Sequence, residues 1–257
     1  MLKLPDKPNT PDFVVGIVKD GDYYALPLTG MSKNASATGM KLEARAFNHG
    51  SLVTGFNKVS GRNIEISTYI EARDEAGYLT QLRELKNYVY MGDYRLYVSK
   101  NRYFNIKGVG KFTAKDYAGF AYRRADIDIT FLAADPFEYT GYEARTVVNA
   151  ADGQTFKVHN DCNIDVPLIV NITPVVSAPS IVLENATYNR KLTYKDPSLA
   201  NPAMLTVDTE AGTVTVEGGN RINNFSGAFL SLKPGANIFT YLGADVRIEF
   251  IYKERFI

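Results

Sequence analysis

ADIDITFLAADPFEY, residues Ala125 to Tyr139, decides how this 257-residue chain is divided. Ile127, Ile129 and Phe131 fall on one side of an extended backbone, and Asp126, Asp128 and Thr130 on the other. A period of two is what a half-buried strand needs, because successive side chains leave opposite faces. Asp135-Pro136 ends the pattern. Proline has no N–H to give a sheet and holds the residue before it away from helix. Phe137 and Tyr139 follow the break. The stretch is expected to close a first domain, residues 1–140, and to lead into a second, residues 141–257.

Toward the N-terminus, Arg62–Ile70 is a second alternating strand, with Ile64, Ile66, Thr68 and Ile70 on one face. A helix follows it. Asp74 suits the N-cap, Glu75 suits the positive helix end, and Tyr78, Leu82, Leu85 and Val89 make one apolar stripe. Lys86 is expected in the last turn and Gly92 at the left-handed position after it. Strands are expected at Phe13–Val18, Tyr23–Leu28, Tyr94–Val98, Tyr103–Ile106, Gly110–Thr113 and Ala125–Leu132, with a turn at Asp116-Tyr117-Ala118-Gly119. The polar segment Thr29–Gly50 reads either as a surface loop or as a hairpin arm reaching a neighbouring subunit. Residues 1–12 read as a flexible arm that orders on a partner.

Beyond Tyr139, short apolar runs recur with turn signals between them, from Thr146–Val148 to Val246–Tyr252. This is the pattern of an all-β sandwich. LTVD-TEAG-TVTV, residues 205–216, is a hairpin, and Pro234-Gly235 suits a type II turn. The fold class is therefore mainly β with one long helix: an N-terminal β-sheet domain plus a C-terminal β-sandwich.

Composition narrows the function. Net charge is +1, divided as +3 up to Thr140 and −2 after it, without the basic bias of a nucleic-acid-binding domain. One cysteine, Cys162, allows no intrachain disulfide. The N-terminus lacks the apolar core of a signal peptide, and no run approaches the roughly 20 apolar residues of a membrane helix, so a soluble protein made in a cytoplasm is expected.

The catalytic toolkit is thin. His49 and His159 lack metal-ligand spacing. His159-Asn160-Asp161-Cys162 reads as a turn rather than a thiol–imidazole pair, and Asp161 and Asp165 as turn residues. Asp126 and Asp128 point the same way, as a carboxylate pair or, more simply, as a charged stripe. Lys100, Arg102, Arg123 and Arg124 could meet phosphate but read as a solvated face. No phosphate-loop, dinucleotide or nucleophile-elbow motif is present. For sugars, Tyr142, Tyr188, Tyr194, Tyr241 and Tyr252 are candidate platforms, and there is no Trp.

Several motifs stand in a recognisable order. They are Arg62-x-Ile64-x-Ile66, the Leu82-x-x-Leu85 helix, Gly92-Asp-Tyr-Arg-Leu-Tyr97, and Phe131-x-x-x-Asp135-Pro136-Phe137-x-Tyr139. Later come Pro167-Leu-Ile-Val-Asn-Ile, Leu205-Thr-Val-Asp-Thr, and Ser226-Gly-x-Phe-x-x-Leu-x-Pro-Gly-x-Asn237. In these the chain, from about Gly50 to its end, resembles the distal tail protein (Dit) family of long-tailed, siphovirus-type phages. The resemblance implies a split-barrel-like first domain that forms a hexameric ring and a galectin-like second domain. It implies a structural role at the virion tail tip, joining the tail tube protein to the tail-tip hub, with DNA passing through the bore. No enzyme activity, cofactor, metal or membrane is implied. Asp126, Asp128, Arg62, Pro136, Phe137 and Tyr139 are the candidates for interface or lumen. Galectin-type sugar sites use His-x-Asn-Pro-Arg and a Trp, and this chain has neither. The alternative is a carbohydrate-binding adhesion module for host cell-surface glycans, and a cell-wall hydrolase ranks behind it.

Overall fold

The deciding stretch folds as one strand, Arg123–Ala133, and its two faces separate as the alternation requires. Ala125, Ile127, Ile129 and Phe131 are buried; Asp128 is exposed, and Asp126 and Thr130 are half-buried. The structure is a computed structural model and describes residues 15–33, 38–39, 42–44, 51–53, 58–59, 61–117 and 123–257. The expected arm at 1–12, residues Phe13 and Val14, His49, and the turn residues Ala118 and Gly119 lie outside them. Two units divide between Glu138 and Tyr139; Ile257 groups with the first.

The first unit holds a four-stranded antiparallel sheet in the order Gly108–Tyr117, Arg123–Ala133, Arg62–Ala72, Leu28–Lys33. A second group of strands runs Asp22–Ala25, Gly16–Lys19, Tyr94–Ser99, Arg102–Ile106. Both groups feed one core, which includes Ile17, Leu96, Phe104, Ile64, Ile66, Ile129 and Phe131. The helix Glu75–Tyr90 closes that core with Tyr78, Leu85 and Val89. Asp74 Oδ1 accepts from the Gly77 N–H at 2.7 Å, satisfying one of the donors that a helix start leaves open. Gly92 follows the helix at φ +66°. The helix runs on to Tyr90, so Lys86 falls short of the last turn, contrary to expectation. The cation at that end is instead Lys19, whose ammonium donates to the carbonyls of Met91 and Gly92 at 3.3 and 3.4 Å.

Two expectations in this unit are corrected, and one choice left open is narrowed. Tyr23–Leu28 is not one strand, since Leu26-Pro27 separates Asp22–Ala25 from Leu28–Lys33. Pro27 has no N–H, and its carbonyl accepts from Thr68 Oγ1 at 2.6 Å instead. Asp116 and Tyr117 belong to the strand Gly108–Tyr117 rather than to a turn. Within the polar segment, Thr38–Gly39 pairs with Lys58–Val59, and Leu42–Ala44 with Ser51–Val53, in nested antiparallel order. That is a hairpin, not a structureless loop.

The second unit places two sheets around one core. One runs Glu138–Ala150, Val246–Phe256, Ile169–Pro174, Leu205–Asp208, Thr213–Val216, Gly219–Asn220. The other runs Thr155–Asn160, Gly235–Gly243, Ser180–Asn185, Arg190–Lys195, Phe225–Gly227. The 205–216 hairpin forms in the expected place, with Gly212 at φ +66°. Gly235 has φ +86°, as the third position of a type II turn demands. Glu138–Ala150 is a single 13-residue strand, far longer than the expected Thr146–Val148.

Candidate assembly surface

The four-stranded sheet turns one face to the core and leaves the other polar. Register puts Lys115, Asp126 and Tyr69 in one row, Thr113, Asp128, Ser67 and Gly30 in the next, and Lys111, Thr130, Glu65 and Ser32 in a third. Asp128 Oδ1 accepts from Ser67 Oγ at 2.6 Å. Asp126 Oδ1 lies 3.4 Å from the Arg124 guanidinium, which sits 4.9 Å over the Tyr69 ring. Both partners of this ion pair are nearly half exposed, so it contributes little to stability. Asp126 and Asp128 are therefore not a bare acidic stripe. Lys111, Lys115 and Arg124 stand on the same face as Glu65, Glu71, Asp126 and Asp128, and the wall is nearly neutral. No metal ligand set forms: among the described residues no group of three or more His, Cys, Asp or Glu could hold an ion.

The other predicted residues do not gather on that wall. Arg62, expected at an interface or lumen, is buried at 6% exposure on the core side of its strand. Its guanidinium stands 5.4 Å from the Phe104 ring centroid, and its Nε has no hydrogen-bond partner among the described residues. The aromatic face supplies part of the missing electrostatic compensation. Lys33 reaches the same ring at 5.8 Å and donates to both carboxylate oxygens of Glu138 at 3.2 Å. Pro136 is buried and Phe137 half-buried; the Asp135 carboxylate accepts from the Phe137 N–H at 3.2 Å and holds the bend. Tyr139, half-buried, opens the second unit. Lys33 and Glu138 escape sequence reasoning because they lie 105 positions apart with no local pattern to join them.

The polar candidates of the second unit resolve into structural roles. His159 and Asn160 end a strand rather than form a turn. His159 Nε2 is 3.1 Å from Asp161 Oδ1, while the buried Cys162 Sγ accepts from the Arg255 N–H at 3.2 Å. Burial pushes the Cys162 thiol above its ordinary pKa, away from the thiolate a nucleophile needs. Tyr194, Tyr241 and Tyr252 are core residues, so three of the five candidate sugar platforms are covered. The Tyr188 ring has Lys233 at 4.4 Å and Arg190 at 5.5 Å, and its hydroxyl bonds Asp165. Tyr142 is 55% exposed.

In the first unit, a cleft of about 500 Å³ is lined by Lys19, Arg95, Lys107, Asp20, Asp93 and Asp135 among others. One pair of its charges is matched: Lys107 Nζ is 2.7 Å from Asp93, which holds that carboxyl below its usual range.

Comparison with known proteins bears on the whole arrangement. Residues 161–256 match the family model described as siphovirus-type tail component, C-terminal domain. The likeness to that family lies within the second unit, and the match spans 161–256 of the 257 residues. The chain also shares its fold with the crystal structure of the Dit (gp 19.1) protein of phage SPP1, described as a paradigm of the hub adsorption apparatus in phages infecting Gram-positive bacteria. The match covers 95% of this chain and 100% of that one, with a TM-score of 0.73 at 15% sequence identity. No curated protein matches the sequence. The chain is thus mainly β, with the fold of the SPP1 Dit protein and a second unit similar to the siphovirus-type tail component domain.

Proposed function

We propose that this chain is a Dit-type phage tail protein, six copies of which join head to tail into a ring that connects the tail tube to the tail-tip hub and leaves a bore for DNA. One observation carries the reading. Every pairing in the four-stranded sheet is antiparallel, so its two outer strands, Gly108–Tyr117 and Leu28–Lys33, run in opposite directions. A neighbouring copy can therefore add its opposite edge and continue the same alternation. Contacts between two different surfaces close into a ring when the rotation repeats. Closure also covers edges that would otherwise recruit other chains.

In this reading residues 1–140 build the ring, and the hairpin between Thr38 and Val59 is the arm that reaches the next copy. Residues 141–257 are the galectin-like sandwich. The nearly neutral wall carrying Asp126 and Asp128 lines the bore, where DNA must pass without being held. The protein acts at the virion tail tip after assembly in the host cytoplasm, without catalysis or cofactor. A glycan-binding role has less to stand on, because Tyr194, Tyr241 and Tyr252 are spent on the core.

Native mass measurement with electron imaging of the full chain tests the proposal. A six-fold ring is the expected result; a monomer at high concentration overturns it.

A further inference from the structure

We infer that the contact between copies includes an apolar seam on the core side of the sheet, with Leu28 and Met31 of one copy seated against Val109, Phe112 and Tyr90 of the next. The inference rests on the ring reading and adds to it the side chains that meet.

The register exposes the seam. Phe112, Ile129, Ile66 and Met31 stand in one unbroken row across the four strands, all on the core-side face. The two middle residues are 1% exposed, whereas Met31 at the end of the row is 37% exposed and Phe112 at the other end is only half-buried. In the next row Leu28 takes the place opposite Thr68 and is 45% exposed. Tyr90, 61% exposed at the end of the helix, lies 6.2 Å from the Phe112 ring. The buried rows thus run out into water at both edges, on the same face, with apolar side chains still on them. A buried row that ends in exposed apolar residues at both ends is completed by another copy of itself, because each end supplies what the other lacks.

Charge selects the opposite edge rather than the like edge as partner. Two Gly108–Tyr117 edges paired antiparallel about Thr113 would set Lys111 of each copy against Lys115 of the other, a repulsive match. The Leu28–Lys33 edge has no charge within it until Lys33.

The test uses full-length single variants Met31→Cys and Phe112→Cys, with the buried Cys162 as the only native thiol. Under mild oxidation a covalent dimer is expected from the mixture and from neither variant alone. Val109→Cys or Ala114→Cys replacing Phe112→Cys covers a slip of register, and Thr113→Cys on the opposite face is expected to remain uncoupled. Met31→Asp is expected to weaken subunit association roughly 10- to 100-fold without moving the unfolding midpoint of the separated chain. A six-fold ring in which no core-side pair cross-links overturns the seam and leaves the ring reading standing. A covalent dimer of Phe112→Cys alone overturns the head-to-tail arrangement. A monomer under all conditions overturns both.

Discussion

Asn237 has no exposed surface, and its side chain is committed on every side. Its Oδ1 accepts from the Lys233 N–H at 2.9 Å, and its Nδ2 donates to the carbonyls of Lys233 and Gly235 at 2.8 and 3.1 Å. It bridges the Pro234-Gly235 turn from inside. Buried Asn185 does the same work nearby, donating to the Ser231 carbonyl at 3.0 Å. Asn237→Ala strands these partners in a dry site, and we expect a loss of about 2–3 kcal/mol, read from chemical denaturation. Cys162 provides a second residue-scale check. Its thiol is buried and its pKa raised, so alkylation at neutral pH is expected to be slow in the folded chain and fast after denaturation. Equal labelling rates in the two states would contradict the packing around Arg255.

Among the elements, the helix shows how local chemistry sets a boundary. Asp74 has extended backbone angles, φ −140° and ψ 170°, and its carboxylate caps the Gly77 N–H. Asp74→Ala is expected to cost about 1 kcal/mol, and Asp74→Ser to recover most of it. This helix and the strands at Arg62–Ala72 and Arg123–Ala133 were legible because their signals are local: a cap, a stripe spaced 4, 3 and 4, and strict alternation. Glu138–Ala150 was not, because Gly141 to Glu143 are exposed and the half-buried Ala144, Thr146 and Val148 alternate with neighbours that include the exposed Val147, so the apolar contrast is weak. The hairpin from Thr38 to Val59 was only half visible, since its pairing depends on residues about 20 positions apart in a polar segment. The burial of Arg62 is hard to read for a related reason. Its position in the alternation puts it on the core side, yet a cation there invites a surface reading until the Phe104 ring comes into view. The wall escaped in part too: Asp126 and Asp128 were plain in the sequence, but Lys111 and Lys115 join their face only through strand pairing.

At the scale of the whole molecule, pH and charge give two tests. Burial pushes Tyr194, Tyr241 and Tyr252 up to about 12 from 10.0 in the folded chain. The unfolded chain therefore sheds these protons first. Their contribution to stability is intact below about pH 10 and is lost as pH rises toward 12. Thermal midpoints should fall across that window, with a further rise in tyrosinate absorbance at unfolding beyond that of the exposed tyrosines; the chain has no Trp to overlap it. Charge predicts weak contact with nucleic acid. At a net +1 and with a balanced wall, the assembled protein is expected not to retain duplex DNA at physiological salt, whereas Asp126→Lys with Asp128→Lys is expected to retain it in a salt-sensitive way. A gel-shift titration distinguishes the two.

The two-sided strand Arg123–Ala133 also has a consequence for descent. Ile127, Ile129 and Phe131 answer to the core, while Asp126, Asp128 and Thr130 contribute nothing to its apolar packing. A lineage can rewrite one set without disturbing the other, provided the count between them never changes by one. A single inserted residue would exchange the two sets at once. Substitution is therefore cheap and insertion ruinous in this strand. Drift under that rule leaves a fold intact long after the letters have gone.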